Sequence, residues 1–193
     1  MARIFLLDES GSMDSVLDDT IGGFNSFVRN QVSGGGTLSL YTFSDTCKCV
    51  YKDKPIEDVP MLTKDTYKPG GSTALYDSMG KIIKEYMDRE ATFVILTDGQ
   101  ENTSKKYTKS HVRDLLKLAS NLTVMYVGVD LEDAVDLGIT NTMHYEGVHT
   151  PEIFRAVSES VASNVLRQTK SQPLARVCST EAIDSKILLN ISH

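Results

Sequence analysis

Five oxygen-bearing side chains lie in three polar segments that are far apart in the sequence. Asp8, Ser10 and Ser12 share the first segment, Thr73 follows two glycines in the second, and Asp98 precedes a glycine in the third. Hard oxygen donors of this kind suit Mg²⁺, with Mn²⁺ or Ca²⁺ as alternatives, and argue against zinc or copper. Two carboxylates brought close repel each other unless a cation lies between them. The donor types therefore predict a divalent-metal site.

Each of these residues also has a simpler interpretation. Ser10 and Ser12 precede an apolar run and are suitable helix N-caps, and Thr73 stands in the same position before a second run. Asp98 and the glycine after it are typical of a turn. The metal site is preferred because these residues occur together with Asp8, which a cap or a turn does not explain.

Further acids lie near the same segments. We interpret four of them as solvated loop residues: Glu9, Asp14, Asp45 and Glu101. Asp45 and Glu101 have a second interpretation, as acceptors for groups behind the metal ligands. Asp77 lies one helical turn after Thr73, where it would hold a ligand water, hold a loop amide, or serve as a plain helix-surface acid.

The elements that position these residues follow from periodicity. Short apolar or alternating runs predict strands at 3–7, 37–43, 47–51, 91–97, 122–129 and 141–145. Helical spacing predicts helices over about 14–32, 75–86, 112–119 and 131–137, and a last one that begins after the N-cap Thr150 and runs to about 165. Residues 52–69 are polar, contain prolines and are predicted to be mostly loop.

Strands that alternate with amphipathic helices predict an α/β fold. We expect a doubly wound, mostly parallel central sheet with helices on both faces, and with the hairpin strand 47–51 as one antiparallel edge. Ligands bind at the carboxyl ends of the strands in such sheets. The segments holding Asp8 and Asp98 each follow a buried strand, and the segment holding Thr73 leads out of the hairpin, so all three are expected at one edge.

The sequence resembles the von Willebrand factor A (vWA) domain family over about residues 2–168. The shared motifs are D-x-S-x-S at Asp8–Ser12, the threonine of Gly70-Gly71-Ser72-Thr73, and Thr97-Asp98-Gly99 after a hydrophobic strand. The resemblance implies a Rossmann-like vWA fold with a metal-ion-dependent adhesion site (MIDAS). It implies Ser10, Ser12 and Thr73 as direct metal ligands, and Asp8 and Asp98 as ligands either directly or through water. The short chain is similar to stand-alone vWA proteins of bacteria and phages, including the tellurium-resistance-associated group.

This ligand set predicts a binding function. Neutral hydroxyls leave much of the cation's charge uncompensated, and an Asp or Glu of a partner protein would complete the octahedron. The resemblance likewise implies a metal-dependent protein–protein interaction module that is not an enzyme. The alternatives are a metal-dependent phosphoryl-transfer or hydrolytic enzyme, and an assembly domain with a purely structural metal. Haloacid-dehalogenase-like phosphatases need a second aspartate where this chain has Ser10, and neither a phosphate-binding Gly-Lys loop nor G-x-S-x-G is present.

Composition and net charge limit which classes of partner and which cellular compartment are expected. The chain has 193 residues, 20 basic against 26 acidic, and a net charge of −6, which disfavours nucleic acid and anionic membrane surfaces as partners. Three cysteines and no signal-like or membrane-spanning segment predict reduced thiols and a cytoplasmic location. The expected organisation is a vWA domain over 1–170 and a tail over 171–193. This tail would pack back on the domain or dock a partner.

Overall fold

The computed structural model describes residues 1–144 and 153–163. Six strands are present in these residues: β1 Ala2–Asp8, β2 Thr37–Phe43, β3 Cys47–Pro55, β4 Ala91–Thr97, β5 Leu122–Gly128 and β6 Thr142–His144. The helices are α1 Leu17–Gln31, α2 Leu75–Tyr86, α3 Lys109–Leu118, α4 Glu132–Asp136 and α5, which covers residues 153–163.

The strands form one sheet in the order β3-β2-β1-β4-β5-β6. All neighbouring strands pair in parallel except β2 and β3, which form the antiparallel hairpin at one edge. The predicted doubly wound α/β fold is therefore confirmed. Leu7 of β1 lies opposite Leu96 of β4, so Asp8 and Thr97 end neighbouring strands at the same edge of the sheet.

Both faces of the central strands are covered by helices, which explains why β1 and β4 are apolar without alternation. On one face, Ile4 and Leu6 belong to a buried cluster that includes Met79 of α2 and Val112 of α3. On the other face, the ring of Phe5 meets three more rings at centroid distances of 5.4, 5.2 and 6.0 Å: Phe24 and Phe27 of α1, and Phe154 of α5.

Several predicted boundaries were wrong. The first helix begins at Leu17 rather than at residue 14, because residues Gly11–Val16 form a 3₁₀ helix that carries the end of the D-x-S-x-S segment. Strand β3 continues to Pro55, into a range predicted as loop, since its residues pair with β2 as far as Thr37. Helix α3 begins at Lys109, three residues before Val112, the first of the apolar residues that marked it, and follows a capping box made by Thr108 and His111.

Other predictions fall outside the described residues. The predicted N-cap Thr150 and the tail 171–193 are among them. The chain divides into compact units at 1–158 and 159–193, and residues 159–163 are the described part of the second unit. In the described part of the chain, no helix is both long and apolar enough to cross a membrane.

Candidate metal centre

Asp8 is the innermost member of the site. It ends β1 and is fully buried. Its Oδ1 accepts a hydrogen bond of 2.8 Å from the Ser10 amide, and its Oδ2 accepts one from the Thr97 hydroxyl. The parallel pairing of β1 and β4 brings Thr97 beside Asp8. The carboxylate is therefore held in one orientation by a group from its own loop and a group from the neighbouring strand.

The remaining predicted ligands continue outward from Asp8. The hydroxyls of Ser10 and Ser12 are 3.1 Å apart, and Ser12 Oγ donates to Asp98 Oδ1 at 2.7 Å. Ser10 precedes the 3₁₀ helix, but its side chain makes no capping hydrogen bond. The capping interpretation of Ser10 is therefore not supported.

Gly99 shows that Thr73 belongs to the same cluster. A Cβ atom at Gly99 would lie 3.2 Å from Thr73 Oγ1, 3.5 Å from Ser12 Oγ and 3.8 Å from Asp8 Oδ2. These distances, and the hydrogen bonds that Ser12 makes with Ser10 and Asp98, show that all five predicted side chains lie together at one edge of the sheet. The gap at Gly99 is a small cradle lined by their oxygens.

The charge in this cradle favours a cation. Burial raises the pKa of the Asp8 carboxyl, and the nearby charge of Asp98 adds to the rise, against the lowering effect of the hydrogen bonds from Thr97 and Ser10. A cation beside both carboxylates would offset the cost of burying Asp8 charged. No group of three or more His, Cys, Asp or Glu side chains suited to a metal occurs among the described residues. The donors here are two carboxylates and three hydroxyls, which fit a hard divalent cation.

Thr73 is positioned by Asn102, which sequence reasoning missed. The Thr73 amide donates to Asn102 Oδ1 at 2.9 Å, and the Asn102 amide donates to the Thr73 carbonyl at 3.1 Å. The N-cap position of α2 is Ala74, and no side chain caps it. Thr73 is thus held through its backbone, and its hydroxyl is left directed at Gly99. No spacing rule in the sequence pairs Asn102 with Thr73.

Glu101 and Asp77, two of the acids singled out from the sequence, join the loop of residues 101–107 to the start of α2. Glu101 accepts hydrogen bonds from the amides of Tyr76, Thr103 and Ser104 and from the Ser104 hydroxyl, which confirms its second interpretation as an acceptor. Asp77 accepts from the amides of residues 105, 106 and 107, so its loop-amide interpretation is confirmed. Burial alone would raise the pKa of Asp77, but these amides outweigh it and lower the pKa.

The loops on the other side of the site are joined in the same way. Asp45 Oδ1 accepts from the Ser72 amide, and Gly71 lies against Asp45 with a φ of 84° that a larger residue rarely adopts. The prediction that Glu9 is solvated was wrong. It is 7 % exposed, and its Oε1 accepts from the Lys68 amide at 2.9 Å. The loop before Thr73 folds over this side chain and removes it from water.

Two hydroxyl groups beside Asp8 were also missed as functional residues. Thr97 was part of the recognised motif but received no role, although its position at the end of β4 was a usable signal. Tyr67 donates its hydroxyl hydrogen bond to the Asp8 carbonyl from 59 residues away. Nothing in the sequence around Tyr67 indicates that contact.

Solved structures share this fold. The proximal thread matrix protein 1 (PTMP1) of the mussel byssus matches with a TM-score of 0.63 and 17 % identity, covering 83 % of this chain and 45 % of that one. The von Willebrand factor domain of the pilus tip protein Mfa5 from Porphyromonas gingivalis matches with a TM-score of 0.66 and 11 % identity, over 85 % and 95 % of the two chains. The TRAP protein of Plasmodium vivax, in a manganese-loaded structure, matches with a TM-score of 0.57 and 15 % identity, covering 79 % of this chain and 70 % of that one.

The fold is therefore the von Willebrand factor type A fold, as the motifs predicted. This chain spans less than half of the length of the PTMP1 structure. A further PTMP1 structure has a zinc-occupied MIDAS motif. No protein-family model matches the sequence. No curated protein matches it either.

Proposed function

We propose that this protein is a metal-dependent interaction module. In this proposal Asp8, Ser10, Ser12, Thr73 and Asp98 hold one divalent cation, directly or through water, and a partner protein supplies an Asp or Glu carboxylate as a further ligand. The observation that carries the proposal is the meeting of these five side chains around the gap at Gly99.

The distribution of exposure supports a site that faces a partner. Asp8, Ser10 and Thr73 are buried, whereas Ser12 is exposed and Asp98 is half-buried. A cation held here would be covered by protein on the Asp8 side and reachable from the Ser12 side. Its two units of positive charge would face two carboxylates and three neutral hydroxyls. The two carboxylates formally balance this charge. Where they bind through water, a carboxylate from outside would add a direct, negatively charged oxygen ligand.

Magnesium is the metal we propose for the cell, with manganese or calcium as alternatives. The oxygen donors fit all three ions. The manganese-loaded TRAP structure and the zinc-occupied PTMP1 structure indicate that sites on this fold take more than one metal. Zinc therefore belongs among the ions to be titrated. Each measured Kd is then compared with the free concentration of that ion in the cell, because metal availability rather than raw affinity decides which ion is bound.

Calorimetric titration of the four metals tests the metal site. Asp98→Ala is expected to lower the affinity for Mg²⁺ and Mn²⁺ at least tenfold, because it removes one of two carboxylates and leaves a surface position that the fold tolerates. Asp114→Ala is the control, since Asp114 is an exposed acid on α3 that pairs with Lys117. Undiminished metal affinity in Asp98→Ala would refute the assignment.

The partner is tested separately by a pull-down with Mg²⁺ or with chelator. A protein that is retained with metal, released by chelator and lost with Asp98→Ala supports the interaction module. Retention that is changed neither by chelator nor by Asp98→Ala contradicts the interaction module.

We infer no catalytic role for the site. The position two residues after Asp8 is Ser10, whose hydroxyl pairs with Ser12, so the second aspartate that phosphatases of the haloacid-dehalogenase type use is missing. Phosphatase and nuclease substrates should show no metal-dependent turnover. Turnover that disappears in Asp8→Ala would establish the enzymatic alternative.

Two finer predictions remain part of this proposal. The similarity to tellurium-resistance-associated vWA proteins depends on the metal-site motifs. The cytoplasmic location depends on cysteine usage, and Cys47 and Cys49 are both free thiols in the structure.

A further inference from the structure

A groove of about 460 Å³ lies between α2 and α3, on a helical face of the sheet rather than at the metal site. Tyr107, Leu115 and Leu118 supply its apolar part, and Lys84, Lys106 and His111 line it with basic groups. Asp114 is the acid among the lining residues, and its carboxylate pairs with Lys117. The groove is therefore apolar at its centre and mainly basic along its rim.

The walls of the groove are fixed by contacts behind it. Asp77 accepts hydrogen bonds from the amides of residues 105, 106 and 107, which holds Lys106 and Tyr107 against α2. The Tyr107 ring packs directly on Gly80, where a Cβ atom would lie 2.6 Å from ring carbons. Lys84 places its ammonium 5.1 Å from the centre of the same ring. A preformed groove loses little side-chain entropy when it is occupied.

The charge of this region is opposite to that of the whole chain. The protein carries a net charge of −6, yet the segment 105–117 contains five lysine or arginine residues, at positions 105, 106, 109, 113 and 117, together with His111 and one acid, Asp114. Lys109 pairs with two aspartates and Lys117 with one. Among the residues that the structure describes, no carboxylate pairs directly with Lys84, Lys106 or Arg113, although the charge of Lys106 acts on Asp77 and that of Arg113 acts on Asp114 and Asp136. These cations are available to a negatively charged ligand.

Apolar exposure accompanies the positive charge. Leu118, in the last turn of α3, is 69 % exposed at the end of the groove, and Tyr107 and Leu115 are half-buried within it. A simple anion would use the cations and leave the leucines in water. A neutral apolar ligand would use the leucines and leave Lys84 and Lys106 unmatched. A ligand that satisfies both has apolar side chains on one face and carboxylates beside them.

We propose that the α2–α3 groove docks an acidic, amphipathic peptide segment of a partner protein. Leucine- or phenylalanine-type side chains of the segment would contact Tyr107, Leu115 and Leu118, and its carboxylates would pair with Lys84 and Lys106. This interaction is independent of the metal, because none of the lining residues belongs to the metal site.

Panning of a random 16-residue peptide library displayed on phage against the full chain tests the proposal, with and without chelator. Enriched peptides are synthesised with a fluorescent label, and their affinity is measured by anisotropy. We expect peptides that combine Asp or Glu with Leu or Phe at helical spacing. Their affinity should be unchanged by chelator and at least tenfold weaker for Lys84→Glu/Lys106→Glu. The double variant Lys54→Glu/Lys64→Glu carries the same charge change elsewhere and should bind as the native chain does.

A second pair of variants tests the apolar contact without a change of charge. Leu118→Ser should weaken binding several-fold, whereas Val135→Ser, which alters a residue exposed to 70 % on α4, should not. Melting curves establish that all four variants are folded before affinities are compared.

Several outcomes would overturn the proposal. These are no enrichment, enriched peptides without acidic residues, and affinities that the groove variants do not change. Loss of binding in chelator would assign the peptides to the metal site instead. Binding of anionic phospholipid vesicles in preference to peptide, displacement by a synthetic peptide of residues 171–193, or a dimer broken by Leu118→Ser would each replace the partner peptide with another occupant.

Discussion

Replacing Gly99 with alanine tests the metal centre without removing a single proposed ligand. The new methyl group would stand 3.2 Å from Thr73 Oγ1, 3.5 Å from Ser12 Oγ and 3.8 Å from Asp8 Oδ2. Gly99 is not among the positive-φ residues, so alanine fits its backbone. Thr73 has to move by a few tenths of an ångström, and the methyl group occupies space that ligand oxygens or waters around a cation require. We expect the affinity for Mg²⁺ or Mn²⁺ to fall at least tenfold.

The size of the effect follows from binding linkage. A cation at about one hundred times its Kd stabilises the native state by about 2.7 kcal/mol. In a chain of this size that raises the melting temperature by about 5–11 °C. A tenfold weaker site at the same metal concentration gives about 1.4 kcal/mol, which is half the increase. Without metal, the reduced entropy of the unfolded chain contributes about 0.4–1 kcal/mol in favour of alanine, and crowding at Thr73 opposes it.

Thermal melts of the native chain and of Gly99→Ala, with metal and with chelator, measure both quantities. Gly22→Ala is the matched control, because a Cβ there meets nothing within 4 Å. It lies in α1, so it should raise stability by about 0.5–1 kcal/mol and keep the full effect of metal. If folded Gly99→Ala shows the same metal-dependent rise as the native chain, the cation does not lie among these oxygens and the assignment fails.

Three further substitutions test the structure around the site and the core. Thr97→Val removes the hydroxyl that donates to buried Asp8, so the free energy of unfolding in urea should fall by about 1.5–3 kcal/mol at neutral pH; an unchanged midpoint would contradict that role. Phe154→Ala empties an aromatic cluster and should cost about 3–5 kcal/mol in the same assay, and a loss under 1 kcal/mol would contradict the packing. Asp77 has a lowered pKa, so its contribution is present above its unfolded value of about 3.9 and is lost as pH falls through the folded value. The difference in melting temperature between the native chain and Asp77→Ala should therefore shrink in acid, and a constant difference would refute the role of the amides of residues 105–107.

The local elements could be predicted because their physical causes are local. Continuous apolar runs identified β1 and β4 since both faces of these strands are covered by helices. Helical spacing identified α1 and α2 because each buries one face on the sheet. The boundaries were less accurate. The 3₁₀ helix before α1 and the extension of β3 to Pro55 depend on contacts with other segments, which periodicity does not contain.

The sequence alone determined the chemistry of the candidate site. Asp8, Ser10, Ser12, Thr73 and Asp98 were identified from residue type and from the motifs shared with vWA domains. The positions of Asp8 and Asp98 after two buried strands predicted that their segments meet, because the carboxyl ends of parallel strands lie at one edge. Only the tertiary structure decided how these side chains are held. Thr97 reaches Asp8 because β1 and β4 are neighbours. Asn102, 29 residues further along the chain, forms hydrogen bonds with the backbone of Thr73.

The same reason explains the groove between α2 and α3. The sequence shows a basic segment at 105–117, but not that Tyr107 packs on Gly80 or that Asp77 fixes the loop before α3. Hydrogen bonds and ring contacts between distant segments depend on distances that arise when the chain folds. Residue type therefore decided which chemistry is available, and the packing of the helices on the sheet decided where it is presented.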